Sequence, residues 1–161
     1  MMSIDSSRRI MMASSANDVF TAICGGTFVY PAVMYEQYQD IRVTNRDGVT
    51  PGSIREITYG HAISRMVSRA TEEITRIDHT SRTIESRFKP DGAFVGRFFR
   101  SASLVVKVEP LSMNDSPNRP GSTVVWTLTY ASDFNGGLNL NMFQDAIAEG
   151  FRTLDVYLGS P

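Results

Sequence analysis

The stretch NMFQDAIAEGFRTLDVYL, Asn141 to Leu158, changes the period of the chain. Phe143, Ala146, Ile147, Gly150, Phe151, Leu154 and Leu158 recur at i, i+3, i+4 and i+7. Asp145, Glu149, Arg152 and Asp155 take the other faces. The pattern predicts one long amphipathic helix with a broad apolar face. Its small residues, Ala146 and Gly150, are expected to leave space between the helix and whatever covers it.

Upstream of this helix the period is two. Alternation predicts strands at about Ile41–Thr44, Ser53–Tyr59, Met66–Ile77, Thr83–Phe88, Arg97–Glu109 and Thr123–Tyr130. The turn signals NRDG, DHTS and KPDG separate them, followed by a long proline-containing connection, Leu111 to Ser122. The first fourteen residues read as a further strand. Ser15, with Asp18 three residues on, then forms a helix-start signal of the capping-box type, and Gly25-Gly26 stops that helix. A second short helix is expected through VYPAVMYEQY, with Pro31 near its first turn and Tyr30, Tyr35 and Tyr38 concentrated there. Strand, two short helices, successive strands with short turns and one long helix argue for an α+β fold. In it a curved antiparallel sheet wraps the C-terminal helix.

Length and charge narrow the function. A chain of 161 residues is expected to be one domain, 1–161. Its formal net charge is −1 and its arginines are scattered singly, so no basic face points to nucleic acid. No apolar run approaches the roughly 18–20 residues of a membrane span, and the apolar patch after Arg8 and Arg9 is too short for a signal peptide. The single cysteine, Cys24, cannot form an internal disulfide and reads as a small buried filler, so the cytoplasm is the expected compartment. His61 and His79 both fall in predicted turns, without acids or thiols at ligand spacing, so no metal, cofactor or histidine-based triad is expected.

DGVTPGSIREITYG, Asp47 to Gly60, raises the question of a phosphate cradle. Such a loop needs a lysine and a helix after its second glycine. Here a strand follows, and Pro51 removes a donor, so a structural turn is expected. Its consequence lies downstream, where it sends Arg55, Ile57 and Tyr59 to one side.

The same alternation puts Glu72 beside Ile74, Ser86 beside Ile84 and Phe88, and Leu104 beside Ala102, Val106 and Val108. On the last strand Val124, Trp126, Leu128 and Tyr130 share a face. The inward set is apolar and aromatic with a few polar heads, Arg55, Tyr59, Glu72, Ser86 and Tyr130, which is the composition of a small-molecule pocket. The competing expectation is a filled core in which Arg55 pairs with Glu72.

Four stretches, in order and at matching spacing, resemble the Bet v 1-like family of the START-type helix-grip superfamily. They are ASSANDVFTAI, DGVTPGSIREITY, EEITRIDHTSRTIESRF and EGFRTLDVYL. The family includes class-ten pathogenesis-related proteins of plant defence, major latex proteins and the norcoclaurine synthases of alkaloid biosynthesis. The resemblance implies a seven-stranded sheet gripping the long helix around a large, mostly apolar cavity. It also implies a ligand of hormone, flavonoid, sterol-like or alkaloid type, held for storage, transport or defence. Of the residue set used by the norcoclaurine synthases only Glu72 matches. Ile84 stands at the lysine position and Ala70 at a tyrosine position, which counts against condensation by the same residues.

The leading expectation is therefore a binding protein for an apolar or aromatic small molecule, a monomer or weak dimer, with no nucleic-acid partner and no membrane insertion. The ligand-binding residues are expected to be Tyr30, Tyr35, Arg55, Ile57, Tyr59, Glu72, Ile84, Ser86, Leu104, Trp126, Leu128, Tyr130, Phe143, Ile147, Gly150 and Phe151. Entry is expected where Tyr30 and Tyr35 approach the DGVTPGS loop, over a cavity of about 300 Å³ or more beneath the last helix, on which the binding reading depends. The alternative is a cyclase, isomerase, lyase or condensing enzyme of the same fold. Its general acid or base would be Glu72, raised in pKa by desolvation, and Tyr59 or Tyr130 would stabilise an oxyanion.

Overall fold

The computed structural model describes residues 3–111, 116–131 and 137–160. In chain order the elements are β1 (Ile4–Met12), α1 (Ala16–Cys24), α2 (Gly26–Val33), β2 (Tyr38–Asn45), β3 (Ile54–Tyr59) and β4 (Arg69–Asp78). They continue with β5 (Thr83–Phe88), β6 (Phe94–Phe99), β7 (Ser101–Pro110), β8 (Ser122–Ala131) and α3 (Leu140–Leu158). The first two residues of the expected N-terminal strand, and residues 112–115 of the expected proline loop, lie outside the described residues.

One seven-stranded sheet runs β1-β8-β7-β5-β4-β3-β2, with every neighbouring pair antiparallel. Its two edges are β1 and β2, so α1 and α2 carry the chain from one edge of the sheet to the other. Tyr59 on β3 meets Phe143 at 5.8 Å, and Trp126 on β8 meets Phe151 at 5.1 Å between ring centroids. Three strands lie between β3 and β8 in the sheet order, yet both reach the same helix, so the sheet bends around α3. This is the α+β fold expected from the periods, and its seven strands around the helix match the helix-grip arrangement that the resemblance implied.

Local chemistry sets the ends of the helices. Ser15 caps α1, its hydroxyl accepting from the Asp18 N–H at 3.1 Å, and Asn139 caps α3 by accepting from the Met142 N–H at 3.2 Å. The far end of α3 is tied down as well, because the Asp155 carboxylate accepts from the N–H groups of Ala13 and Ser14.

Several elements depart from expectation, among them β4, which starts at Arg69 and not at Met66 because residues 61–66 form a turn. Gly25-Gly26 is a hinge between two abutting helices, and α2 starts at Gly26, three residues before the predicted start. Pro31 therefore sits inside α2, and Tyr38 already belongs to β2. The strand predicted from Arg97 to Glu109 is two strands, broken at Arg100. The cause is the run Phe94, Val95, Phe98, Phe99, whose burial does not alternate. The Phe94 ring packs on Phe88 and Phe143 and the Phe99 ring on Tyr130, which pulls β6 out of the sheet and leaves β5 paired directly with β7. Cys24 is half-buried, at the helix end, because the chain turns there.

Candidate functional site

The interior between α3 and the sheet is built from the faces that alternation assigns. Arg55, Ile57 and Tyr59 are buried along β3, and Glu72 and Ile74 along β4. Ile84, Ser86 and Phe88 follow on β5, then Ala102, Val106 and Val108 on β7, and Val124, Trp126 and Leu128 on β8. Phe143, Ile147, Phe151 and Leu154 close it from α3. Among the described residues, two small spaces lie inside this shell, each of about 40 Å³. The first touches Tyr30, Tyr38, Arg55, Glu72, Ser86 and Trp126, and the second touches Tyr38, Tyr59, Glu72, Leu128, Phe143 and Gln144. Spaces of that size hold a water molecule or two.

The large cavity expected under the last helix is not found among the described residues. Gly150 explains much of the difference. A Cβ built there would lie 2.5 Å from the Met34 Cε and 3.1 Å from the Gln37 side-chain amide. The missing side chain makes room for Met34 and Gln37, at the α2–β2 junction, and leaves no void. Ala146 is only half-buried and opens no space either. Aromatic rings fill the rest, with Tyr30 stacked on Tyr38 at 4.9 Å and set edge-on to Phe151 at 6.4 Å.

One ion pair lies in this shell. Arg55 donates to Glu72 Oε1 from Nε at 3.0 Å and from Nη2 at 2.5 Å, and both side chains are buried. Burial works against the guanidinium charge, and the Glu72 carboxylate outweighs it, so Arg55 is held above its ordinary pKa. Arg55 Nη1 also donates to Thr27 Oγ1 at 3.0 Å, and that hydroxyl donates to the Gly48 carbonyl at 2.6 Å. Burial pushes the phenols of Tyr30, Tyr38 and Tyr59 upward. At neutral pH they are protonated hydrogen-bond donors and not bases. Glu72 in contact with Arg55 is an acceptor. A proton-transfer role requires that contact to open first.

The Asp47 loop is the outer end of the same network. Asp47 Oδ1 accepts from the N–H groups of Val49 and Thr50 at 2.9 and 3.0 Å, and from the hydroxyls of Thr50 and Ser53. The Gly48 N–H goes to Ser53 Oγ and the Gly52 N–H to the Ile74 carbonyl. The donors a phosphate would need are spent inside the protein, so the loop is a structural turn. Gly48 has φ 84, and a Cβ on it would meet Val43 at 2.6 Å and Thr27 at 3.0 Å. Only glycine permits the approach that joins the loop to α2.

Thirteen of the expected ligand-binding residues line the two spaces: Tyr30, Arg55, Ile57, Tyr59, Glu72, Ile84, Ser86, Leu104, Trp126, Leu128, Phe143, Ile147 and Phe151. Tyr35 does not, because it follows the end of α2 and is 63% exposed. Thr27, not Tyr35, meets the Asp47 loop, since the early start of α2 turns Thr27 and Tyr30 inward. Tyr130 is half-buried against Phe99, and Gly150 faces Met34 and Gln37. Residues missed by the sequence reading include Tyr38, Thr27 and Gln144. Gln144 accepts from Trp126 Nε1 at 2.9 Å and donates to the Ser6 carbonyl at 3.1 Å, joining α3 to β8 and β1. Its signal was available: an amide beside Phe143, four residues before Ala148, on the edge of the apolar face.

No family model matches the chain. MLP-like protein 423 from Arabidopsis thaliana is 24% identical over 149 residues, which is 92% of this chain and 90% of that protein. Ginseng major latex-like protein 151, from Panax ginseng, superposes with TM-score 0.77 at 16% identity, over 99% of this chain and all of that one. The chain has the Bet v 1-like fold. Norcoclaurine synthase from Thalictrum flavum, solved with dopamine and hydroxybenzaldehyde, superposes with TM-score 0.74 at 14% identity, over 99% of this chain and 90% of that one. Ile84, at the lysine position of that resemblance, lines the first space, and Ala70, at the tyrosine position, is buried on β4. No helix among the described residues is long and apolar enough to cross a membrane.

Proposed function

We propose that the chain binds an apolar or aromatic small molecule between α3 and the sheet, with Arg55, Glu72 and the buried tyrosines as its polar contacts. The observation that carries this reading is the Arg55–Glu72 pair, buried inside an apolar and aromatic shell and bordering the first space. A buried pair of this kind contributes little to stability compared with well-packed apolar residues. Its value is recognition, as a donor and an acceptor in a water-poor interior. Ligands of hormone, flavonoid, sterol-like or alkaloid type fit such a lining, and storage, transport or defence are the corresponding roles. A cytoplasmic, monomeric or weakly dimeric protein accompanies this reading.

Entry of such a ligand requires the interior to enlarge from spaces of about 40 Å³ to roughly 300 Å³ or more. The aromatic rings and α3 must therefore shift outward on binding. Trp126 is the single tryptophan and lines both spaces, so its fluorescence reports directly on occupancy. Titration with a flavonoid and with a sterol is expected to shift Trp126 emission. Native mass spectrometry of protein from its own source is expected to find a retained small molecule. An unmoved emission at saturating probe, together with no retained molecule, removes the reading.

A second reading has one observation in its favour: Glu72 and Tyr59 border the same space. A cyclase, isomerase or lyase would use the carboxyl for proton transfer and the phenol as an oxyanion donor. Unchanged turnover of a candidate substrate in Glu72→Gln would eliminate it.

A further inference from the structure

The first interior space borders polar atoms that the protein itself leaves unpaired. Tyr30, Ser86 and Glu72 line it, all three are buried, and most of their neighbours there are apolar. Neither the Tyr30 nor the Ser86 hydroxyl has a hydrogen-bond partner among the described residues. Arg55 Nε and Nη2 both converge on Glu72 Oε1, and Glu72 Oε2 accepts from no group among the described residues. The Tyr59 phenol, which borders the second space together with Glu72, is likewise unpaired among them. Buried polar side chains are ordinarily hydrogen-bonded, so three unpaired oxygens around one space call for a partner. Gln37 Oε1 is also buried without a partner, but it lines neither space.

The charges of the lining cancel. Among the described residues, Arg55 and Glu72 are the charged side chains of the first space, and they face each other as one cation against one anion. A ligand carboxylate would add a second anion beside Glu72, and a ligand ammonium would add a second cation near Arg55. Either is a buried charge without a counter-charge, and a neutral head avoids that cost. The free atoms also specify the hydrogen bonds. The ionised Glu72 Oε2 can only accept, so its partner must donate, and a hydrogen bond to a charged oxygen is stronger than a neutral one. The Tyr30 and Ser86 hydroxyls can each donate to an oxygen of the ligand.

We infer that the first space takes the hydroxyl of a neutral ring compound, a phenol, and discriminates against carboxylates, ammonium ions and ethers of the same size. The ligand O–H donates to Glu72 Oε2, and its oxygen accepts from Tyr30 or Ser86. The ring lies against the apolar part of the lining, which includes Ile57, Val106 and Ile147. This inference rests on the interior-binding reading and narrows its ligand to a neutral phenol, in place of an organic acid or a basic amine.

The test compares phenol with anisole, benzoate and benzylammonium, each titrated at neutral pH into the whole ¹⁵N-labelled protein. Binding is read by NMR from the indole N–H of Trp126, which borders both spaces. Phenol is uncharged there, with a pKa near about 10 like the tyrosine side chain. It is expected to bind about five-fold or more tighter than anisole, which cannot donate, and about ten-fold or more tighter than either ion. Tyr30→Phe removes a hydroxyl without a partner among the described residues, so it should weaken phenol several-fold and keep the thermal midpoint. Glu72→Gln leaves Arg55 without its counter-charge, so benzoate should gain on phenol by about ten-fold. Anisole, benzoate or benzylammonium binding as tightly as phenol, with Trp126 shifted, overturns this inference and leaves the interior-binding reading standing. No Trp126 shift with any of the four at about 10 mM, beyond a millimolar dissociation constant, overturns both.

Discussion

Arg55 and Glu72, seventeen positions apart in the chain, face each other across the β3–β4 ladder, where they form a register pair. Two nitrogens of the guanidinium converge on one carboxylate oxygen, inside a shell otherwise lined by tyrosine, tryptophan and aliphatic side chains. Removing either partner leaves a buried charge unpaired. Arg55→Met is therefore expected to lower unfolding free energy by about 3–5 kcal/mol. The double variant Arg55→Met/Glu72→Leu should recover most of that loss, as urea titrations of the single and double variants will read.

Gly150 is expected to tolerate no side chain without cost. Its would-be Cβ is 2.5 Å from Met34 Cε, so Gly150→Ala should push α3 away from the α2–β2 junction. The methyl is flexible and can retreat in part, and overpacking of this kind costs about 1–3 kcal/mol. A thermal melt measures the loss. Met34→Ala in the same chain should relieve the clash and restore some of the difference.

The Trp126–Gln144 hydrogen bond joins the only tryptophan to α3. Gln144→Leu leaves the indole N–H and the Ser6 carbonyl without this partner, at a cost of about 1–3 kcal/mol. Trp126 emission should change in the folded state, and the urea midpoint should fall.

Acid stability should depend on the Asp47 loop. The Asp47 carboxyl is held below its ordinary range by the Val49 N–H, then by the Thr50 hydroxyl, with Ser53 and the Thr50 N–H adding to it. Asp78 is lowered by the Ser81 N–H, with the Thr80 N–H and Arg76 adding to it, and Glu73 by Arg87 and then Lys89. A group lowered on folding stabilises the protein above its unfolded pKa, roughly 4 for these carboxyls. That contribution disappears as pH falls through the lower folded value. Denaturation midpoints should therefore drop below about pH 4. In Asp47→Asn the drop should be shallower, from a midpoint already lowered at pH 7.

Much of this arrangement was legible in the residues themselves. Alternation along β3, β4, β5 and β8 placed Arg55, Glu72, Ser86 and Trp126 on the buried face, because a paired strand has only two faces. The Ser15 cap and the amphipathic period of α3 were equally local. Tyr35 and Tyr130 were misjudged because whether a ring points inward depends on where α2 ends and where β6 packs. Neither boundary follows from the period of the chain. Gln144 escaped because its partners, Trp126 and Ser6, arrive from β8 and β1.

By itself the sequence determined the elements, their order and the sidedness of most strands, since those depend on residues a few positions apart. Only the tertiary structure decided how much room the grip encloses. Gly150 reads as a gap when seen on its helix and as a contact once Met34 and Gln37 arrive. The departure of β6 from the sheet likewise follows from Phe94 packing on Phe88 and Phe143, which arrive from β5 and α3. Volume is a property of how distant surfaces meet, and a one-dimensional pattern specifies the surfaces without fixing their separation.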